Sequence, residues 1–332
     1  MFRHIFTLCL LGAFYFNANT QTLFVKSGAN GDGYSWEDPI GDLQKALRIA
    51  APGTQIWVAK GTYTPSNCEN CTPEERSQSF EIPSGVQLYG GFAGHEYSLD
   101  ERKVKANATI LSGNIGRDDL LDNSQTVVYF ENAANTTVLD GFFIMDGYAD
   151  AEGTPGKRDR SGAGIFNICT KQNGRSTPTV RNCNFMDNSA WEGAAVFNQS
   201  GKGTAAIDFN SCSFLKNKAS IAGGAIADNV SAQPEHSSIS DCFFVLNEAP
   251  YGGGYFTNNI EANETIFINC SFIKNNSKMG ASGFLLSNYD NISEHAESCI
   301  FKNNEADNGN ELLVYKGRKL PTLKEDIGAS NL

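Results

Sequence analysis

Over the C-terminal half of the chain, apolar and polar positions alternate in short bursts that stop and restart at a fixed interval. Five stretches align on a cysteine: NCNFMDN (182–188), SCSFLKN (211–217), DCFFVLN (241–247), NCSFIKN (269–275) and SCIFKNN (298–304). The anchors Cys183, Cys212, Cys242, Cys270 and Cys299 are 29, 30, 28 and 29 residues apart. Phenylalanine follows two positions later each time, as Phe185, Phe214, Phe244, Phe272 and Phe301. Asparagine follows at five positions, as Asn188, Asn217, Asn247, Asn275 and Asn304. Glycine recurs about ten positions on, in WEGAAVF, IAGGAIA, YGGGYFT, MGASGFL and NGNELLV. A diverged sixth copy, DGFFIMD at 140–146, aligns with Gly141 in place of the cysteine and Asp146 in place of the asparagine.

A period near 29 held this regularly predicts a solenoid. Cysteine and phenylalanine two apart share one face of a strand, the inward one. Polar pairs before the cysteine (Arg181-Asn182, Asn210-Ser211, Ser240-Asp241) break the alternation and predict a corner there. The asparagines and glycines mark the next corners, because both residue types reach left-handed backbone angles cheaply. Short β segments with three corners per repeat describe one turn of a parallel β-helix. Leucine-rich repeats are the rival, since C-x-F-x-x-N imitates their motif. Their outer segment would carry leucines, whereas here it is Ser, Asn, Gly and Ala. On this reading the cysteines form an inward ladder beside an aromatic and an asparagine ladder. Coil spacing permits sporadic disulfides, but parallel Cβ vectors suit free thiols better. Catalysis or metal binding by these cysteines is the weakest reading.

The front half has another rhythm. A strand at Leu23 to Lys26 leads through a glycine-rich loop to a short helix, with Leu43, Ala46, Leu47 and Ala50 at helical spacing. Ala51-Pro52-Gly53 stops it before the strand IWVAKGTY. An amphipathic helix here is what an exposed solenoid end needs, because bare stacking edges invite aggregation. Further strands fall at VQLYGGF (86–92), ATILSGN (108–114) and TVVYFEN (126–132), spaced like shorter coils.

Composition adds an address. Arg3 and His4 precede the apolar run Ile5 to Phe16, and small residues at Ala18 and Thr20 suit cleavage there. That run is short for a membrane anchor, and no later segment is apolar enough to span. Losing the leader takes the formal charge from −11 to about −12. So acidic a chain has no electrostatic footprint for nucleic acid, and it repels anionic polysaccharides unless divalent cations bridge the two. The expected organisation is a leader (1–20), one β-helix domain (21–315, with 22–64 as cap and first coils and 140–315 as regular coils) and a tail (316–332).

The stretches GVQLYGGFAG (85–94), ATILSGNIG (108–116) and VLDGFFIMDG (138–147), with the F-x-x-N…GG-x-I repeats, resemble secreted right-handed parallel β-helix proteins of the pectin-lyase-like superfamily. The repeats are similar to those of chlamydial polymorphic outer membrane proteins, and the arrangement to exported proteins of Bacteroidetes-type bacteria. The resemblance implies an all-β, right-handed parallel β-helix with a short N-terminal capping helix, secreted or associated with the outer membrane of a Gram-negative bacterium. It also spans polysaccharide lyases, glycosidases and adhesins, so the site must decide the function.

A lyase of this architecture needs a Lys or Arg base and carboxylates holding Ca²⁺; a glycosidase needs converging acids. No acid recurs at one coil position: Asp187, Asp208, Asp228 and Asp241 fall in different phases. The best candidate is the insertion YADAEGTPGKRDRSG, 148–162. Lys157 and Arg158 are its candidate catalytic bases. Asp150, Glu152, Asp159 and Arg160 are its candidate binding residues, and Asp146 with Asp150 its candidate Ca²⁺ ligands. A solvated surface loop is the plainer reading. Cys68-x-x-Cys71 lacks a second pair for zinc and a helix start for redox chemistry, which leaves a local disulfide or two thiols. The expectation is a non-catalytic, adhesin-like protein binding a polysaccharide or cell-surface ligand. A polysaccharide lyase is the alternative, and a purely structural role comes third.

Overall fold

In the computed structural model, residues 21–66, 72–117, 119–229, 237–257, 265–278, 284–286, 295–306 and 312–314 are described. The proposed leader, Cys68, Cys71 and the tail lie outside them. Three long parallel sheets run the length of the body. Sheet 1 has nine strands, from Thr22–Val25 through Val138–Asp140 and Thr179–Arg181 to His295–Glu297. Sheet 2 has eight, from Gly61–Tyr63 through Phe143–Met145 and Asn184–Met186 to Ile300–Lys302. Sheet 3 has eight, from Phe80–Glu81 through Val128–Glu131 and Ile165–Ile168 to Leu312–Val314. Successive coils pair in parallel, and β-crossover-β connections of this kind wind right-handed. The molecule is thus an all-β, right-handed parallel β-helix of about eight turns with very little helix.

The register explains the repeat. In each regular coil the residue before the cysteine has a left-handed backbone: Asn182, Ser211, Asp241, Asn269 and Ser298, with φ between 53° and 55°. The cysteine and phenylalanine then point inward and are buried through Cys270 and Phe272, while Cys299 and Phe301 at the far end are half-buried. The rings of Phe185, Phe214, Phe244, Phe272 and Phe301 stack with centroids 4.8, 4.8, 4.5 and 4.9 Å apart. The second corner differs from the expectation: its left-handed residue is the one before the asparagine, namely Asp187, Lys216, Leu246, Lys274 and Asn303. The asparagine itself turns inward. Asn217 Oδ1 accepts from the backbone N–H and the Nδ2 of Asn188, while Asn217 Nδ2 donates to Asn247 Oδ1 at 3.0 Å and to the Phe185 carbonyl. The same bonds continue through Asn275 to Asn304. Each amide is fully satisfied in a buried setting, where a lost partner costs about 1–3 kcal/mol.

The diverged sixth copy also shifts by one. Asp140 pairs with Arg181 and Phe143 with Asn184, so Phe142, not Gly141, stands in the cysteine's place. Gly141 takes the left-handed corner at φ 87°, and Asp146 takes the second corner at φ 62°. The front strands expected as separate shorter coils are instead the three faces of one long coil: Gln87–Phe92 lies in sheet 1, Thr109–Ser112 in sheet 2 and Val128–Glu131 in sheet 3. Loops inserted at its corners carry the pairing from Gln87 to Val138 before the coil closes.

The helix α1, Leu43–Ile49, is capped by Asp42, whose carboxylate accepts the Gln44 N–H at 2.8 Å. Leu43, Ala46 and Leu47 are buried in the same core cluster as the first strands, which closes the N-terminal end. No helix among the described residues is long and apolar enough to cross a membrane.

Candidate functional site

The charged insertion folds down onto the outer face of sheet 3. That face carries its own aromatic row, Tyr129, Phe166 and Phe197, stacked at 6.3 and 5.7 Å. Phe166 and Phe197 point away from the solenoid interior yet are buried. The strap holds its place through specific bonds. The Gly156 N–H and the Ser161 hydroxyl both donate to Glu192, and the Arg160 guanidinium lies 4.3 Å from the centre of the Trp191 ring. Arg158 closes the row at its N-terminal end. Its guanidinium sits 4.5 Å over the Tyr129 ring, pairs with Glu81 at 3.2 Å and donates to the Ser77 carbonyl.

The sequence candidates therefore part company. Arg158 and Arg160 are engaged in holding the strap, and Asp150 is paired with Arg76 at 2.6 Å. Lys157, Glu152 and Asp159 stand exposed on it. Asp146 accepts the Ser112 hydroxyl at 2.8 Å at the sheet 2 corner; burial raises its carboxyl above the usual range, with Asp187 of the next coil adding to the effect. Among the described residues no three Asp, Glu, His or Cys side chains gather where a metal could sit. Ca²⁺ takes six to eight oxygens; Asp150 is instead paired with Arg76 and Asp146 with the Ser112 hydroxyl.

The cysteine rungs are free thiols, donating weakly to backbone carbonyls. Burial raises Cys212 well above the ordinary thiol value, and the Cys242 thiol is the leading reason Cys270 stands at about 12. The Cys242 thiol is drawn the other way, against its burial, by the Cys212 and Cys270 thiols, but every rung from Cys183 to Cys270 is buried, whereas reactive cysteines sit partly exposed.

Beside the strap, between α1 and the first strands of sheet 3, lies a cleft of about 460 Å³. Gln44, Arg48, Gln78, Glu81, Tyr129 and Glu131 supply its polar side chains, and Leu47, Ile82 and Pro83 apolar wall. The alternation in TVVYFEN sends Tyr129 and Glu131 outward, while Val128 and Phe130 fill the core. Glu131 is tightly placed: it accepts from the Thr170 hydroxyl at 2.7 Å, from Tyr129 Oη at 3.0 Å and from Asn132 Nδ2 at 3.3 Å. The Thr170 bond is the main reason its carboxyl lies below the usual range, helped by Tyr129 and Arg158. Burial and Glu131 together push the Tyr129 phenol upward. Gln44 Nε2 is spent on the Pro65 and Ser79 carbonyls, which fixes the amide and leaves its oxygen as the acceptor.

A second polar node lies on the outer side of sheet 1. Asp140, 1% exposed, accepts from Arg102 at 3.1 Å, Arg181 at 2.8 Å and Asn182 at 2.9 Å, and Arg102 also lies over the Tyr89 ring. Its acid is saturated by cations, which makes it a tie between coils.

Sequence reasoning passed over both the cleft and this node. The outward alternation of Tyr129 and Glu131 was visible, but nothing local tied them to Gln44, 85 residues away from Tyr129 in the chain.

No family model matches the sequence, and no curated protein does. Among solved structures, a rhamnogalacturonan lyase is similar, with a TM-score of 0.42 and 15% identity over 84% of this chain and 62% of that one. The chain thus spans less than two thirds of the lyase. A pectin methylesterase from Aspergillus niger is similar with a TM-score of 0.33 and 15% identity, over 89% of this chain and 88% of that one. No residue role passes from either at this level of likeness.

Proposed function

We propose that the chain is an exported, non-catalytic β-helix protein that binds saccharide in the cleft between α1 and sheet 3. The observation that carries this is the composition of that cleft. An aromatic side chain, the fixed amide of Gln44 and a preorganised carboxylate are the kinds of group that orient sugar hydroxyls, in a volume within the range of small-ligand sites. Glu81 and Glu131 present acceptors, so hydroxyl-rich neutral sugars suit it better than uronates.

The same groups speak against turnover. A glycosidase acid must hold its proton near neutral pH, and Glu131 is held in the opposite direction. A lyase base needs a neutralised uronate beside it, and Arg158 is already committed to Glu81 and Tyr129.

The test is titration calorimetry of the purified chain against a panel of neutral and acidic oligosaccharides, with Glu131→Gln and Tyr129→Ala beside it. Saturable binding that falls about tenfold or more in either variant is expected, the loss of one charged hydrogen bond being about 1.5–3 kcal/mol. Ultraviolet absorbance of unsaturated product on pectins, alginates and glycosaminoglycans should stay flat with and without Ca²⁺. Rising absorbance would replace this reading with the polysaccharide lyase, and Lys157 would be the first base to mutate.

A further inference from the structure

The outer side of sheet 2 carries an apolar stripe that neither the core nor the cleft accounts for. Met145, Met186, Leu215, Val245 and Ile273 lie in register on five consecutive coils, all half-exposed. Phe243, Ile300 and Leu246 beside them are 52%, 51% and 42% exposed. The matching outward positions on sheet 1 hold Arg181, Asn210, Ser240, Ile268 and Glu297, with a single apolar side chain among them. A soluble surface seldom leaves so continuous an apolar stripe uncovered.

The charges alongside have an order. The second-corner residues run Asp146, Asp187, Lys216, Leu246, Lys274 and Asn303 from the N-terminal to the C-terminal end, and Lys302 follows Ile273 in the stripe itself. Acids stand at the N-terminal end, and lysines run from the middle, at Lys216, to the C-terminal end. Asp187, Lys274 and Lys302 form no ion pair among the described residues. A pattern that is apolar in the middle and opposite in charge at its ends is its own complement when reversed end for end.

We propose that this face docks a second copy of the chain, antiparallel to the first, about a two-fold axis between the coils of Leu215 and Val245. In that arrangement Leu215 meets the partner's Val245 and Met186 meets the partner's Ile273. Asp187 lies opposite the partner's Lys274, and Met145-Asp146 opposite the partner's Lys302-Asn303, which brings that lysine beside Asp146. The acids of adjacent coils, which burden each other within one chain, gain cations across the interface. Both clefts stay on sheet 3 and remain open, so the dimer presents two saccharide sites rather than one.

Sedimentation velocity of the whole chain over a concentration series tests this. The expected result is reversible doubling of mass, lost in Leu215→Glu. Asp187→Lys alone and Lys274→Glu alone should each weaken association about tenfold, as juxtaposed like charges do. The two together in one chain should restore it, because each two-fold contact then regains an opposite pair. Lysine is already accepted at this left-handed corner, at Lys216 with φ 54°, so Asp187→Lys retains its backbone. Far-ultraviolet circular dichroism identical to the parent establishes that each variant is folded. A chain that stays monomeric at every concentration overturns the proposal. So does a double variant no tighter than its singles.

Discussion

The coils from 179 to 306 and those from 22 to 168 close the same three-sided core by opposite means. In the regular half, pairing advances from Thr179 to Asp208 and from Ser237 to Thr265 with identical inward rungs, so the interior is solved once and copied. In the front half it advances from Gln55 to Gln87 and then from Gln87 to Val138, with the extra residues spent on corner loops. There the inward places are filled by varied side chains, among them Leu88, Leu111, Phe142 and Ile144. Repetition yields a stiff body with little chemistry on it. Irregularity yields the strap, the cleft and the ion-paired node at Asp140. Stability and specificity are carried by different coils.

The sharpest way to break that division is to remove one rung of the copied half. Asn247→Ala takes an acceptor from both the backbone N–H and the Nδ2 of Asn217, a donor from the Phe214 carbonyl, and a donor from Asn275 Oδ1. Several buried groups are orphaned at once, and a loss of about 3–5 kcal/mol in urea unfolding is expected. The saccharide binding proposed for the distant cleft should not change below the unfolding transition.

A rung that breaks the copying should act the other way. On the inner side of sheet 3, Asn167, Asn198 and Asp228 form a chain that Tyr255 Oη completes at 2.6 Å. Burial raises the Asp228 carboxyl from 3.8 to about 6, although Tyr255 and Asn198 hold it down. Between those values the folded state keeps a proton that the unfolded chain has released, so stability is full below about pH 4 and declines as pH rises through 6. Asp228→Asn should therefore stabilise at pH 7 by up to about 3 kcal/mol and change little in acid. Thermal melts of both proteins across pH 3 to pH 8 (about the range for such linkage) would check it; equal pH profiles would contradict it.

The smallest effect belongs to the decorated half. Arg158→Ala loses a cation–π contact and a partly exposed ion pair, together about 1 kcal/mol. Its signature is local: trypsin should cut at Lys157 faster than in the parent, while the global melting temperature hardly moves. Unchanged cleavage would mean that the Glu192 contacts hold the strap without Arg158.

The two halves were also unequally legible. The period, the inward Cys–Phe pair and the capping helix with Leu43, Ala46 and Leu47 were readable because local spacing encodes them. The asparagine corner was misplaced by one residue, since lysine and leucine at Lys216 and Leu246 give no hint of a left-handed backbone. That backbone is enforced by the neighbouring asparagine, whose amide is locked between coils. The site was harder still. The charged insertion drew attention because charge is visible in sequence, yet Arg158 and Arg160 are spent on Tyr129 and Trp191, rings from other coils. The cleft unites Gln44 on a helix, Glu81 on one coil and Glu131 on the next, a meeting that only the solenoid register brings about.

Each rung from Asn188 to Asn275 donates to the asparagine of the next coil, and each from Asn217 to Asn304 accepts from the one before, so any inner rung can follow any other. Excising one whole period would rejoin like to like, and inserting one would do the same. Near-identical repeats are also what recombination acts on. The reach of the body, in steps of about 4.8 Å per coil, can thus be lengthened or trimmed over generations while the N-terminal cleft stays as it is, like a gauge block added behind a fixed tool.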